Sequence, residues 1–192
     1  MQKKIWPEII LDYQPQDEQE REIHPEFVKA VQEDNILTRD NDKHHITVSA
    51  WVMDPEMNHV LMAYHLIYDS FSWLGGHADG ETDLCHTALR EAMEESGIRE
   101  VSLFSREILS IEKLPVRAHL KKGKEVCAHH HLNVTFLLTA KTDQKLTVAP
   151  QENSAVEWIA VDELEEKIKE KEMLPLYRKL VNRARQWKES VQ

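Results

Sequence analysis

Apolar and polar positions alternate with two different periods along this chain. Residues 45–53, HITVSAWVM, form an almost unbroken β-branched and apolar run, the profile of a central strand buried on both faces. Residues 54–58, DPEMN, read as a hairpin loop leading into a second strand over residues 59–65. Further strands are expected at 101–114, ended by Pro115, at 125–140 around the apolar VTFLL, at 146–148, and at 156–161 with Trp158. A basic turn, Lys121-Lys122-Gly123-Lys124, precedes the second of these. Helical spacing marks residues 161–171 and 174–187, the latter with Leu174, Tyr177, Leu180, Val181 and Ala184 on one face. Before residue 45 the pattern is weaker: a short strand over 9–14, a polar stretch over 15–22, and a helix over 25–34 from Phe27, Val28 and Val31. Pro25 suits the first turn of that helix. The helix is expected to pack on the core, with a lid or a homodimer contact as the alternative. Asp40-Asn41-Asp42 signals a turn. The order of elements implies a mixed sheet flanked by helices, an α/β fold.

A segment of different character runs from Trp73 to Ile98, WLGGHADGETDLCHTALREAMEESGI. It passes through a glycine pair into an acidic helix whose apolar stripe is Ala88, Leu89, Ala92 and Met93, with Gly97 suited to the left-handed residue after the last turn. Glu91, Glu94 and Glu95 stand at i, i+3 and i+4, so their carboxylates share one face. Such neighbours repel by a few tenths of a kcal/mol per pair, about 0.2–0.5, unless a cation lies between them. Three acids on a helix are ordinarily a solvated surface. Here Gly75-Gly76 can bring backbone close to a ligand, and Arg90 adjoins the acids as an orienting cation. A hard divalent ion such as Mg²⁺ takes carboxylate oxygens and keeps sites for water and phosphate.

The spacing of these residues resembles the signature of the Nudix hydrolases, G-x5-E-x7-R-E-U-x-E-E-x-G-U, where U is bulky and apolar. Gly76 takes the first glycine, Arg90-Glu91 the R-E pair, Glu94-Glu95 the E-E pair, and Gly97-Ile98 the close. The chain departs twice: Ala92 is small for its position, and Thr82 replaces the early glutamate, between Glu81 and Asp83. That glutamate braces the loop in the family, and either Glu81 or Asp83 can do the same here. GGHADG at 75–80, HHHLN at 129–133 and ENSAVEW at 152–158 extend the likeness to a MutT-like branch. The resemblance, over about residues 45–165, implies an α/β/α sandwich. Beyond that span the residue pattern alone extends the domain over 45–192, the C-terminal helices included, with residues 1–44 as a helical extension packed on it. The resemblance also implies Mg²⁺ or Mn²⁺ held by Glu94, Glu95 and the Gly76 carbonyl. Glu91 would be a ligand or proton acceptor, Arg90 would orient a glutamate, and Glu152, in the polar loop before the last strand, is the candidate general base, with a plain surface residue as the alternative.

Composition narrows the substrate. A formal charge of −10 opposes binding of a nucleic-acid polymer but not of a small nucleotide, because bound metal can reverse the local sign. Cys85 and Cys127 form no metal or disulfide framework, no run is apolar and long enough for a membrane helix, and the N-terminus lacks a secretory core. A cytoplasmic protein is the expectation. His129 and His131 share a strand face opposite to His130, without Cys or His partners at zinc spacing. Contacts to substrate phosphates, or packing around Asn133, are expected for them, and phosphate contact or a loop role for His77. Trp51, Phe71, Trp73 and Phe136 fit the core better than base stacking. By resemblance the activity is a metal-dependent pyrophosphohydrolase acting on a nucleoside triphosphate or nucleotide sugar. Two alternatives remain. An isopentenyl-diphosphate isomerase needs a cysteine where Gly75-Gly76 stand, and a non-catalytic nucleotide sensor loses signature glutamates.

Overall fold

Ten residues of one strand organise the molecule. In the computed structural model, which describes residues 4–121, 124–149 and 153–191, strand β1 (His44–Met53) is buried along nearly its whole length. It pairs in parallel with β9 (His129–Ala140), from His44 opposite His130 to Met53 opposite Thr139. Its other edge is shared by β2 (His59–His65), which touches it near Val60, and by β4 (Leu74–His77). β2 also carries β3 (Ser70–Ser72) and β10 (Asn153–Ala160). Beyond β9 lie β5 (Val101–Leu103) and β6 (Ser110–Val116), while β7 (His119–Lys121) and β8 (Lys124–Val126) make a separate antiparallel pair. The result is the mixed sheet with flanking helices that the residue pattern implies.

Strand alternation divides the core between the two faces. Ile46, Val48, Ala50 and Val52, with Leu132, Val134, Phe136 and Leu138, face a core shared with α1 (Glu8–Leu11), α2 (Glu18–Ala30) and α3 (Leu84–Ser96). Trp51, Met53 and Leu137 face the other way, against α4 (Leu164–Lys167) and α5 (Leu174–Ser190). Trp51 stacks on Tyr177 with ring centroids 5.4 Å apart, and the five residues predicted for the inner face of α5 are all buried. Toward the start of β1 and β9 this second face turns polar, carrying His45, Thr47 and Ser49 beside His131, Asn133 and Thr135.

Several elements differ from expectation. Residues 9–14 open with a helical turn, because adjacent Ile9 and Ile10 are both buried and a strand would send them to opposite faces. α2 begins at Glu18, where Asp17 caps it by accepting the Glu20 N–H at 2.9 Å, so Pro25 falls inside the helix. The long strand over 101–114 is two strands. Leu103 pairs with Leu138 and Ser110 with Thr135, and the intervening residues loop out to place Arg106 at 2.6 Å from Asp83. Pro115 does not end β6, whose one sheet partner among the described residues is β9; at a sheet edge the missing N–H is tolerated. The strand over 125–140 is interrupted between β8 and β9. Residues 146–148 form no strand, and Thr147 instead donates its N–H to the Ser96 carbonyl at 2.8 Å. The helix over 161–171 is confined to one 3-10 turn and α4, and buried Ile168 is extended. In α3, Met93 is exposed, and the inward stripe runs through Leu84, Cys85, Ala88 and Ala92. Lys122 and Gly123 lie outside the described residues.

Candidate active site and a histidine cluster

β4 carries Gly75 and Gly76 directly beneath α3. Opposite Ser49 of β1, a side chain on Gly75 would meet the Val48 carbonyl oxygen at 2.4 Å. A side chain on Gly76 would reach the Glu91 carboxylate at 2.5–2.6 Å. Only glycine lets the two elements approach this closely. Glu95, buried, accepts the Gly75 N–H at 2.9 Å, tying the helix to the bend. Arg90 Nη1 stands 2.7 Å from Glu91 and 3.2 Å from Glu94, a cation between two acids that would otherwise repel. Glu94 is the exposed member of the three.

Local chemistry fixes both ends of α3. Gly97 adopts φ +73°, and its N–H donates to the Met93 carbonyl at 2.9 Å, the left-handed stop the residue pattern predicts. Before the helix, Glu81 accepts the Asp83 N–H at 2.8 Å and Asp83 pairs with Arg106, so both candidates for the displaced glutamate brace this region. Glu81 does so through the loop backbone. Asp79, in the same loop, pairs with Arg39 through bonds of 2.8 and 2.9 Å, and that hydrogen bonding holds its carboxyl below the usual range.

The carboxylate set suits a hard divalent ion. Glu95 is bonded to the bend and the Glu91 carboxylate fills the space that a side chain at Gly76 would take, while exposed Glu94 joins them through Arg90. A cationic guanidinium already bridges two of these acids. Glu152 lies outside the described residues.

The predicted substrate histidines come together with a fourth residue that the sequence reading left out. His45, on β1, stands opposite His131 in the parallel register, and its ring lies 5.0 Å from His77, 4.9 Å from His129 and 5.0 Å from His131. Ring nitrogens of His45, His77 and His131 are all within 4.8 Å of one another, and His129 Nε2 is 3.3 Å from His131 Nε2. Burial, reinforced by His77, His45 and His129, pushes the His131 pKa down to about 2, and burial lowers that of His45. Both rings are therefore neutral at pH 7. His45 Nδ1 faces the Asn41 carbonyl at 3.0 Å, while its buried Nε2 finds no hydrogen-bond partner among the described residues. A buried acceptor left in that state costs about 1–3 kcal/mol. The only sequence signal for His45 was its position opening a strand.

Next to this cluster the polar face is fully engaged. Asn133 accepts from Thr47 at 3.1 Å and Ser49 at 2.9 Å, and donates to Glu112 at 3.0 Å. Ser110 joins Glu112 to Glu20, which also accepts from Tyr13 and Gln16 at 2.8 Å and pairs with Arg183 of α5. Burial raises the Glu112 carboxyl, against the pull of Lys179 and the hydrogen bonds from Ser110, Asn133 and Thr135. Burial alone would raise Glu20 too, but the bonds from Arg183, Gln16, Tyr13 and Ser110 prevail and lower it to about 2.

Comparison with known proteins agrees with this architecture. The NUDIX domain profile matches residues 43–180. A C. elegans Ap4A hydrolase superposes with a TM-score of 0.51 at 17% identity, over 71% of this chain and 95% of that one. The E. coli dihydroneopterin triphosphate pyrophosphohydrolase gives 0.52 at 14%, over 71% and 94%. A UDP-X diphosphatase gives 0.51 at 16%, over 84% and 80%. At such identities the likeness concerns the fold. No curated protein matches the chain. Among the described residues no helix is long and apolar enough to cross a membrane. With the family profile spanning most of its length and the glutamate helix seated on the glycine bend, this chain belongs to the Nudix hydrolase family.

Proposed function

We propose that the protein is a metal-dependent pyrophosphohydrolase that cleaves a diphosphate linkage in a nucleoside diphosphate derivative by attack of water. The observation that carries this reading is the seating of Glu91 and Glu95 against the Gly75-Gly76 bend, with Glu94 one helical step away and tied to Glu91 through Arg90. A phosphoanhydride resists hydrolysis because its charged oxygens repel a nucleophile. Mg²⁺ or Mn²⁺, when bound, supplies positive charge to those oxygens and acidifies a water. Glu94, Glu95 and the Gly76 carbonyl are the residues to hold it, and Glu91 serves as ligand or as acceptor of the water proton. Arg90 orients Glu91 and Glu94 through its shared Nη1. Glu152 is assigned as the general base on its sequence position before β10.

The names of the fold neighbours support the substrate class: Ap4A, dihydroneopterin triphosphate and UDP-X all contain phosphoanhydrides. Glu94→Gln, at an exposed position, is expected to abolish Mg²⁺-dependent release of product while circular dichroism stays unchanged; undiminished turnover would remove the proposal. Glu152→Gln should slow hydrolysis by at least about tenfold. A screen of nucleoside triphosphates and nucleotide sugars with Mg²⁺ or Mn²⁺ selects among substrates.

A further inference from the structure

The imidazole cluster is built like a ligand set rather than a packed core. A carbonyl oxygen only accepts, so His45 Nδ1, facing Asn41, carries the ring proton and leaves a bare lone pair on buried, unpartnered Nε2. His129 Nδ1 faces the Cys127 carbonyl at 2.9 Å, which in the same way frees its Nε2 toward His131. A histidine whose second nitrogen is anchored on a carbonyl has the orientation and tautomer of a metal ligand. Zinc held at about 2.0–2.1 Å in a tetrahedron spaces its nitrogens roughly 3.4 Å apart. His129 Nε2 lies 3.3 Å from His131 Nε2, a hydrogen-bonded contact that an ion would replace at nearly the same spacing. His45, His77 and His131 lie within 4.8 Å of one another and draw together on an ion, with His129, outside that group, coming in from the His131 side. We propose that His45, His77 and His131, with His129 as the fourth ligand, bind one divalent transition-metal ion of the zinc class.

This site is separate from the carboxylates. Gly76 and His77 are consecutive in β4, paired with Val48 and Thr47, so their side-chain positions fall on opposite faces of the sheet. Gly76 faces Glu91, and His77 faces His45 and His131. The donor chemistry also differs. Four imidazoles with no oxygen ligand favour zinc, cobalt, nickel or copper and disfavour magnesium.

The test uses the full-length protein, stripped with chelator, then titrated with Zn²⁺ in excess Mg²⁺ so that the carboxylate site is not in play. About one equivalent of zinc should bind and raise the melting temperature, and Co²⁺ in its place should give the visible absorption of a tetrahedral nitrogen site. His131→Gln and His77→Gln should weaken zinc at least a hundredfold, whereas Glu94→Gln should retain it. If His131→Gln fails to fold, His77→Gln, at a half-buried position, decides. Absence of stoichiometric zinc, unweakened binding in His77→Gln, or loss of zinc in Glu94→Gln would each overturn the proposal, and none of these results bears on hydrolysis.

Discussion

A methyl group on Gly76 would stand 2.5 Å from the carboxylate carbon of Glu91. Gly76→Ala therefore cannot be accommodated unless Glu91 or α3 moves, and overpacking of this kind costs about 1–3 kcal/mol. The expected outcome is a folded protein with turnover reduced at least tenfold. Steady-state kinetics alongside circular dichroism check this, and wild-type rates in the variant would show that Glu91 need not occupy its observed position.

Glu95 has two separable jobs. Its carboxylate satisfies the Gly75 N–H and, in the proposed chemistry, helps hold the divalent ion. Glu95→Gln keeps an oxygen acceptor and should lose activity with little loss of stability. Glu95→Ala leaves the N–H unsatisfied and should lose about 1–3 kcal/mol as well. Urea denaturation of the pair separates the two contributions.

Stability should fall at acid pH through Glu20. Its folded pKa, about 2, lies below the usual 4.5, so its contribution is complete above pH 4.5 and vanishes as the pH drops through 2. At 1.36 kcal/mol per pKa unit the shift amounts to at most roughly 3 kcal/mol. Urea midpoints between pH 7 and 3 should decline in the wild type and decline less steeply in Glu20→Gln.

Gly97→Ala meets two obstacles. The residue has φ +73°, and an added Cβ would lie 1.9 Å from Thr147 Oγ1. A loss of roughly 1–2 kcal/mol is expected from the left-handed backbone alone, measurable by chemical denaturation; a neutral result would mean that the end of α3 reorganises freely.

How much of this was legible depended on whether a contact is local. β1, the face of α5 and the Gly97 stop follow from periodicity within a few residues, and the carboxylate helix from fixed spacing along one element. The break between β5 and β6 was hidden because it is made by Arg106 reaching Asp83 across the fold. Thr147 was misread for a related reason, since its N–H bonds to Ser96 at the end of a distant helix. The histidines show the limit best. His129 and His131 could be placed on one face from alternation, but His45 joins them through the parallel register of β1 and β9, and His77 through β4. No linear spacing encodes such a meeting.

The pairing of Glu20 with Arg183 fastens α2 to α5, two helices from opposite ends of the chain. The profile-matched span, residues 43–180, contains neither partner. Trimming the gene to that span would unlatch the protein, opening Glu112 and the hydroxyls around it to water and removing α1, α2 and most of α5 from the cover of the sheet. Expression boundaries drawn from the family match alone are thus expected to yield an insoluble fragment, and a workable shortened form must keep Asp17 at one end and Arg183 at the other.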